Sequence, residues 1–261
     1  MENIKIRDDI EMHMKELKDW LEEIKDCPPE EMAAFFTARL EGYEEHMAIW
    51  KPAYERFARL LPENCREILD LGCGTGLELD ETWKQRGDVN VTGVDLNEEM
   101  LEVLAKKHPA GAGSLTLVCR SYFDYDMGTD KWDAVISFES LHHFFPEEKL
   151  GLYRNICRGL KPGSIFLLGD YIACCDEEER ILQEMYLEKR RRFAVPEGQF
   201  IHIDIPLTYA HEKEVLRRAG FDEIIAVDSI NGATILIAKK GENDGTENND
   251  LQKDPGGQSA P

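Results

Sequence analysis

A glycine-rich turn joins a short apolar run to a helical pattern at residues 70–76, Asp-Leu-Gly-Cys-Gly-Thr-Gly. Glycines in such a turn let the backbone come close to a ligand, beside the N-terminus of the following helix. Dinucleotide-binding proteins use a related turn, but their spacing, started at Gly72 or Gly74, needs a further glycine at position 77 or 79. Both positions are leucine, Leu77 and Leu79. The turn therefore predicts a ligand site at a sheet edge and disfavours a nicotinamide dinucleotide.

An acidic residue, Asp95, ends the next apolar run, 19 residues after Gly76. A carboxylate at such a strand end can accept hydrogen bonds from both hydroxyls of a ribose. The alternative is that Asp95 caps the helix that opens near Asn97. Because the glycine turn and the acidic strand end occur together, we favour ribose binding.

Two adjacent histidines, His142 and His143, follow a later apolar run. Histidine is suited to accept a proton near neutral pH, and one of the pair would suffice. We favour His142 slightly, although the pair could equally pack against or cap the next helix. Asp170 ends a further run and can bind an acceptor or cap the helix near Asp176. A metal site would need several oxygen ligands beside Asp170, and the sequence shows no clear partners, so we predict no metal.

Short apolar runs alternate with helical segments from residue 67 onward. This alternation predicts an α/β fold, with a parallel sheet and crossover helices on both of its faces. The last two runs are separated only by Asn231-Gly232, which indicates a β-hairpin. The predicted strands are 67–71, 90–95, 114–119, 133–138, 164–171, 223–230 and 233–240, with helices around 77–86, 98–107, 147–160 and 176–192.

The N-terminal residues contain helical patterns and no strand pattern before residue 66. Apolar positions at three-to-four spacing predict a helix over 2–26, which Pro28-Pro29 ends, and further helices over about 30–43 and 52–61. We therefore expect a helical appendage or lid over 1–56 and a main domain over 57–240. The polar residues 241–261 predict a disordered acidic tail.

Composition excludes several function classes. The chain has 261 residues, 52 of them acidic against 31 basic, and a net charge of −21. Nucleic acids and anionic membranes are bound by Lys and Arg, so we expect neither as a partner. No apolar run reaches the roughly 20 residues of a membrane-spanning helix, and the first residues are too charged for a signal peptide. Seven cysteines without a CxxC pair indicate reduced thiols, so we expect a cytoplasmic protein.

Four motifs occur in order: DLGCGTG, GVD, DAVIS leading to LHHF, and GLKPGSIFLL. Together they resemble the class I S-adenosylmethionine-dependent methyltransferases over about residues 45–240. The resemblance implies a Rossmann-like, seven-stranded, mostly parallel sheet of order 3-2-1-4-5-7-6. The likeness is greatest to enzymes that methylate small molecules and carry an N-terminal helical lid, so it implies methyl transfer to a small-molecule acceptor by in-line displacement.

The resemblance also assigns site residues. Asp70, Gly72 and Gly74 would surround the methionine part of the cofactor, and the segment 174–210 would shape the acceptor pocket. In the family an acidic residue usually follows the third strand, but here that place holds Ser121 and then Tyr122. The complete predicted cofactor site is Asp70, Gly72, Cys73, Gly74, Asp95, Leu96, Ser121, Tyr122, Glu139 and Tyr43, with His142, His143 and Asp170 as catalytic candidates.

Two alternatives remain open from the sequence. The same fold could use the sulfonium cofactor to transfer another group, or it could be a noncatalytic module that docks a protein partner. Methylation of DNA is disfavoured because residues 137–140, Ser-Phe-Glu-Ser, replace the Asn/Asp-Pro-Pro-aromatic motif of enzymes that methylate DNA amino groups. The sequence distinguishes neither a monomer from a homodimer nor O-, N-, S- and C-methylation.

Overall fold

The computed structural model describes residues 4–108 and 113–242. A single seven-stranded sheet of order β3-β2-β1-β4-β5-β7-β6 organises them, as the motifs predict. All neighbouring strands pair in parallel except around β7, which is antiparallel to β5 and to β6. The strands are β1 (Glu67–Leu71), β2 (Asn90–Asp95), β3 (Leu115–Cys119), β4 (Trp132–Phe138), β5 (Leu160–Tyr171), β6 (Phe221–Ile230) and β7 (Ala233–Lys240).

Nine α-helices lie in the described residues. The helices are α1 (Ile10–Ile24), α2 (Met32–Arg39), α3 (Tyr43–Met47), α4 (Lys51–Ala58), α5 (Leu77–Gln85), α6 (Glu98–Lys107), α7 (Pro146–Gly159), α8 (Asp176–Arg192) and α9 (Tyr209–Ala219). Helices α5 to α8 match the predicted segments, whereas no helix is predicted where α9 lies. Within the described ranges, no helix is both long and apolar enough to cross a membrane.

The N-terminal predictions need correction. The first helix begins at Ile10 rather than at residue 2, and the stretch 30–43 contains only α2 before a break at residues 40–42. The predicted boundary after residue 56 falls inside α4, which places Phe57 in the same apolar core as the sheet. The predicted tail lies outside the described residues from position 243 onward.

The sheet is buried on both faces, which explains the continuous apolar runs of its central strands. Alternate residues point to opposite sides: Leu69 and Val135 belong to one core, and Ile68 and Ala134 belong to the other. The parallel register of β1, β2, β4 and β5 brings their carboxyl ends to one edge. The residues that follow these strands therefore meet there.

A buried ion pair fastens α9 to α7. Lys149 Nζ donates to Glu212 Oε2 over 2.7 Å, and the hydroxyl of Tyr153 donates to the same carboxylate. Lys149 and Glu212 are both buried, so each charge depends on the other for its solvation.

Glu212→Gln should lower the free energy of unfolding by about 3–5 kcal/mol, because it leaves a buried ammonium without its counter-charge. Urea denaturation of the full chain measures this difference. Glu214→Gln, which removes a carboxylate from an exposed pair with Arg217 on the same helix, should change it by less than about 0.5 kcal/mol. Equal effects of the two substitutions would contradict the role given to the buried pair.

Candidate active site

The glycine turn follows β1 and lies against the residues that follow β4. Gly72 has a φ of 76°, and a Cβ at this position would overlap the Ser140 hydroxyl group. Only glycine therefore allows this backbone path together with this close approach. The turn brings the end of β1 next to the end of β4, where Glu139 begins a short irregular segment.

The Asp95 carboxylate fixes the turn from the neighbouring strand. Its Oδ2 accepts a hydrogen bond from Gly74 N over 2.8 Å, and its Oδ1 accepts one from Asn97 N over 2.8 Å. The N-cap of α6 is Asn97, whose side chain accepts from Met100 N, so the capping alternative for Asp95 is wrong. Burial raises the pKa of Asp95, against the opposing effect of these backbone donors. Each carboxylate oxygen keeps a second lone pair that can accept from a ribose hydroxyl.

An open cleft of about 700 Å³ lies beside the turn. Nine residues predicted from the sequence line it: Tyr43, Gly72, Gly74, Asp95, Leu96, Ser121, Tyr122, Glu139 and His143. Sequence reasoning missed much of its apolar wall, namely Met32, Phe36, Met100, Phe123, Phe138, Phe144 and Phe200. Flat apolar walls with a few polar groups are typical of pockets for an aromatic ring system such as adenine.

A smaller cavity of about 260 Å³ lies on the other side of the turn, and Glu78 lines it. Asp70 is completely buried and lines neither cavity, which differs from its predicted place around the ligand. Both oxygens of Asp70 and Oε1 of Glu78 have no hydrogen-bond partner. Burial raises the pKa of Glu78 to about 7, and burial together with the Glu78 charge raises the pKa of Asp70 well above its usual range. These two carboxyls form a buried acidic pair behind the turn.

Cys73 contributes only its backbone to a ligand site. Its Sγ lies against Gly93 of β2, inside the sheet layer, and burial raises the pKa of its thiol well above the usual value. The side chain is therefore a packed thiol, whereas the main chain borders the smaller cavity.

A third cavity of about 1280 Å³ adjoins the cleft, and we call it the chamber. Phe36, Tyr43, Glu139 and His143 line both spaces and so form their common boundary. The remaining chamber residues are Phe35, Ala38, Arg39, Glu41, Gly42, His46, Met47, Trp50, His142, His202 and Asp204. The chamber thus combines the predicted lid with the predicted insertion 174–210.

The lid and the insertion are joined by backbone hydrogen bonds. Met32 N donates to Phe200 O over 3.1 Å, and His202 N donates to Glu30 O over 2.9 Å. The Phe35 ring stacks on His202 with ring centroids 3.4 Å apart. These contacts make one roof from two segments that are distant in sequence, and no local motif identifies the residues that form it.

Glu139 occupies a strained position at the boundary between cleft and chamber. Its φ is 49°, in the left-handed region that a non-glycine residue rarely adopts. Its Oε1 is buried without a hydrogen-bond partner. Burial raises the pKa of Glu139 to about 8, although the nearby His142 opposes that shift. A strained, unpartnered carboxyl group at a cavity boundary indicates a functional position.

The two histidines differ in their surroundings. The Nδ1 of His142 lies 2.6 Å from Asp170 Oδ1, and its Nε2 lies 3.5 Å from Asp204 Oδ1. Burial disfavours the imidazolium, but these two carboxylates outweigh it and raise the pKa of His142 well above the usual value. His143 Nδ1 donates to Ile203 O over 3.2 Å, and burial holds the pKa of His143 well below the usual value.

These surroundings change the roles considered for His142 and Asp170. Both nitrogens of His142 face carboxylates, so its predicted preference as the base is not supported by its geometry. Asp170 is buried against His142 and does not reach the N-terminus of α8, whose N-cap position is Cys175. Asp170 therefore orients an imidazole instead of capping a helix.

Comparisons with known proteins agree with this geometry. A family model described as a methyltransferase domain matches residues 68–163. A carboxy-S-adenosyl-L-methionine synthase from Nautilia profundicola is 25% identical over 182 residues, which cover 67% of this chain and 77% of the synthase. Phosphoethanolamine N-methyltransferase 3 from Arabidopsis thaliana is 30% identical over 171 residues, which cover 62% of this chain but only 30% of that longer enzyme. Residues 68–163 thus match a methyltransferase domain, and the strand order is the one implied by the resemblance to class I S-adenosylmethionine-dependent methyltransferases.

A solved structure shows the same fold. The Streptomyces venezuelae protein DesVI superposes with a TM-score of 0.56 at 18% identity, over 77% of this chain and 98% of DesVI. The chain is an S-adenosylmethionine-dependent methyltransferase, and S-adenosylmethionine is its cofactor.

The residues present fit this cofactor. The Glu78 carboxyl, which lines the smaller cavity and has an unpartnered oxygen, matches its cationic ammonium group, and Asp95 retains acceptors for two ribose hydroxyls. An acidic side chain, a ribose acceptor and an apolar wall thus lie around the same glycine turn.

The affinity for S-adenosylmethionine should rise with pH through about 7, because a cationic ligand prefers Glu78 ionised and its pKa is about 7. Asp70, Asp80 and Lys107 are the other titratable groups that act on Glu78, and burial raises the pKa of Asp70 well above its usual range. Calorimetric titration should show an association constant about tenfold lower at a pH one unit below that pKa than well above it. Glu78→Gln should remove most of this dependence, and an unchanged profile would contradict the assignment.

Proposed function

We propose that the enzyme methylates a small molecule held in the chamber. The observation that carries this proposal is the common boundary of cleft and chamber, formed by Phe36, Tyr43, Glu139 and His143. An acceptor in the chamber would meet a methyl group presented from the cleft across this boundary, which is the alignment that in-line transfer needs. The names of curated relatives, among them phosphoethanolamine N-methyltransferase 3, support the same acceptor class.

The charge of the chamber also favours a small acceptor. Arg39, the one arginine or lysine among the described chamber residues, is paired with Glu30. Phosphate backbones need several free cations, so a nucleic acid fits poorly here.

S-adenosylmethionine, when bound, supplies the electrophilic methyl group. We assign Glu139 as the residue that accepts the acceptor's proton, because its unpartnered oxygen lies at the boundary of both cavities. The apolar side chains of Phe36 and Phe138 exclude water from the boundary, which favours transfer to the acceptor over loss to solvent.

Synthesis of carboxy-S-adenosyl-L-methionine is a second chemistry named among the relatives, and an enzyme that makes or uses this compound must hold a carboxylate beside the sulfur. A carboxylate beside the sulfur would need a cationic partner. The described residues of the cleft include no Lys or Arg, and they include Asp95 and Glu139. This balance supports methyl transfer.

The seven cysteines, all unpaired, support the cytoplasmic location expected from the sequence.

Asp95→Asn should weaken S-adenosylhomocysteine binding by about 1–3 kcal/mol, which is about fivefold to 150-fold in the dissociation constant, because it removes charge from the ribose acceptor. Isothermal titration calorimetry on the full chain measures the change. Asp88→Asn, at an exposed position in the loop before β2, is the matched control and should bind as the unmodified chain does. No binding to the unmodified chain would refute the proposed cofactor site.

Glu139→Gln should lower kcat by about 10²- to 10⁴-fold, because the amide cannot take the acceptor's proton, while S-adenosylhomocysteine affinity changes less than about threefold. The assay follows S-adenosylhomocysteine formation with a panel of phenols, alcohols, carboxylic acids and amines, and identifies products by mass spectrometry. Glu147→Gln, on the exposed first turn of α7, is the control. A gain of 14 Da by a polymer substrate alone, or of a carboxymethyl mass by any acceptor, would refute methyl transfer to small molecules.

A further inference from the structure

A cluster of metal-ligating groups lies in the chamber and has no role in the mechanism above. His142, His143 and Asp204 each offer one ligand atom, and these atoms lie within 4.8 Å of one another. The two histidines follow β4, whereas Asp204 comes from the segment between α8 and α9. Because this partner is 61 residues further along the chain, the sequence alone gives no metal motif.

The distances within the cluster suit an ion better than they suit hydrogen bonds. Asp204 Oδ1 lies 3.5 Å from His142 Nε2 and 3.4 Å from His143 Nδ1. Hydrogen bonds from nitrogen to oxygen are about 2.7–3.2 Å long. A tetrahedral ion with bonds of about 2.0–2.1 Å holds its ligand atoms about 3.4 Å apart.

A buried carboxylate orients the cluster from behind. Asp170 Oδ1 lies 2.6 Å from His142 Nδ1 and accepts a hydrogen bond from it. This contact leaves Nε2 of His142 directed at Asp204. The arrangement of carboxylate, histidine and ion is the usual support of a metal-bound imidazole. Asp170 is fully buried, and its Oδ2 has no hydrogen-bond partner, which is an independent sign that the site is electrostatically incomplete.

The cluster has access to a ligand. All three of its residues line the chamber, and His143 also lines the cleft. Three protein ligands leave a fourth tetrahedral position free, as in catalytic rather than structural zinc sites. The fourth position opens onto the space in which the acceptor is proposed to lie.

We propose that His142 Nε2, His143 Nδ1 and Asp204 Oδ1 bind a divalent transition-metal ion of the Zn²⁺ type, which coordinates a hydroxyl oxygen of the acceptor. Binding the ion breaks the 3.2 Å hydrogen bond from His143 Nδ1 to Ile203 O, and the ring proton of His143 then resides on Nε2. This inference rests on the proposed function and adds the acceptor class. Coordination polarises the hydroxyl, whose O–H bond breaks as the proton passes to Glu139. The oxygen then forms a bond to the methyl carbon while the carbon–sulfur bond breaks, and the sulfur retains the electron pair as a neutral thioether.

A second cluster, formed by His13, Cys174 and Glu178, is an alternative metal site that the test must exclude. Its carboxylate already accepts from Cys174 N and the Tyr171 hydroxyl, and it pairs with His13 Nε2. These contacts satisfy Glu178 and lower its pKa, so this group is a closed hydrogen-bonded junction between α1 and α8.

The test uses the full chain after dialysis against a chelator, with Zn²⁺ followed by calorimetry and Co²⁺ followed by visible absorption. We expect about one ion per chain and a Co²⁺ spectrum of low-symmetry nitrogen and oxygen coordination. Asp204→Asn, a half-exposed position that should fold normally, and Asp170→Asn should each weaken Zn²⁺ binding by about tenfold or more. Cys174→Ser and His211→Gln are controls and should bind Zn²⁺ as the unmodified chain does.

Absence of stoichiometric Zn²⁺ binding would overturn this proposal, as would binding that Cys174→Ser abolishes and Asp204→Asn leaves intact. S-adenosylhomocysteine binding is measured on the same metal-free protein, and thermal melting checks that each variant is folded. Normal S-adenosylhomocysteine binding without Zn²⁺ binding would refute the metal site alone. Loss of both in the unmodified chain would refute the proposed function as well.

Discussion

The contact between the backbone at Gly72 and Ser140 determines the geometry of the whole site. It joins the turn after β1 to the segment after β4, and the parallel pairing of these two strands puts both at the same edge of the sheet. Any side chain at position 72 would separate them. The cleft on one side and the chamber on the other share their boundary because these two strand ends touch. The central strands therefore set the distance between the cleft and the chamber, and the lid only covers the site.

The buried acidic residues of the site share one physical property. The site carries buried acids without full pairing, namely Asp70, Glu78, Glu139 and Asp170. Burial of an isolated carboxylate is costly, so such groups either take up protons or await a cationic ligand. An acidic pocket for a cofactor with ammonium and sulfonium charges satisfies the second condition. The net charge of −21 disfavours a nucleic-acid partner. The buried acids of the site add a separate effect, because they favour a cationic ligand.

The alternation of strands and helices, the terminal hairpin and the position of Asp95 could be predicted because they depend on local patterns: apolar runs, turn residues and motif spacing. The order of the strands followed only from the resemblance to a known family. Glu78 could not, because an acidic residue in the first turn of a helix ordinarily lies in solvent, whereas α5 packs against α4 and Glu78 is buried. The roles of the two histidines could not be predicted either, because they depend on Asp204 and Ile203. These residues belong to the insertion 174–210, and no hydrophobic periodicity in the sequence predicts the path of that segment.

Asp170 shows why the strand end after β5 matters as much as the glycine turn. Its buried carboxylate holds one nitrogen of His142, so the other nitrogen must face Asp204 across the chamber. Removing the Asp170 charge would free the imidazole to adopt either tautomer and would weaken its orientation. A residue without access to either cavity thereby controls which atoms the chamber presents to an acceptor. The acceptor specificity of this enzyme consequently depends on the end of a core strand as well as on the variable lid.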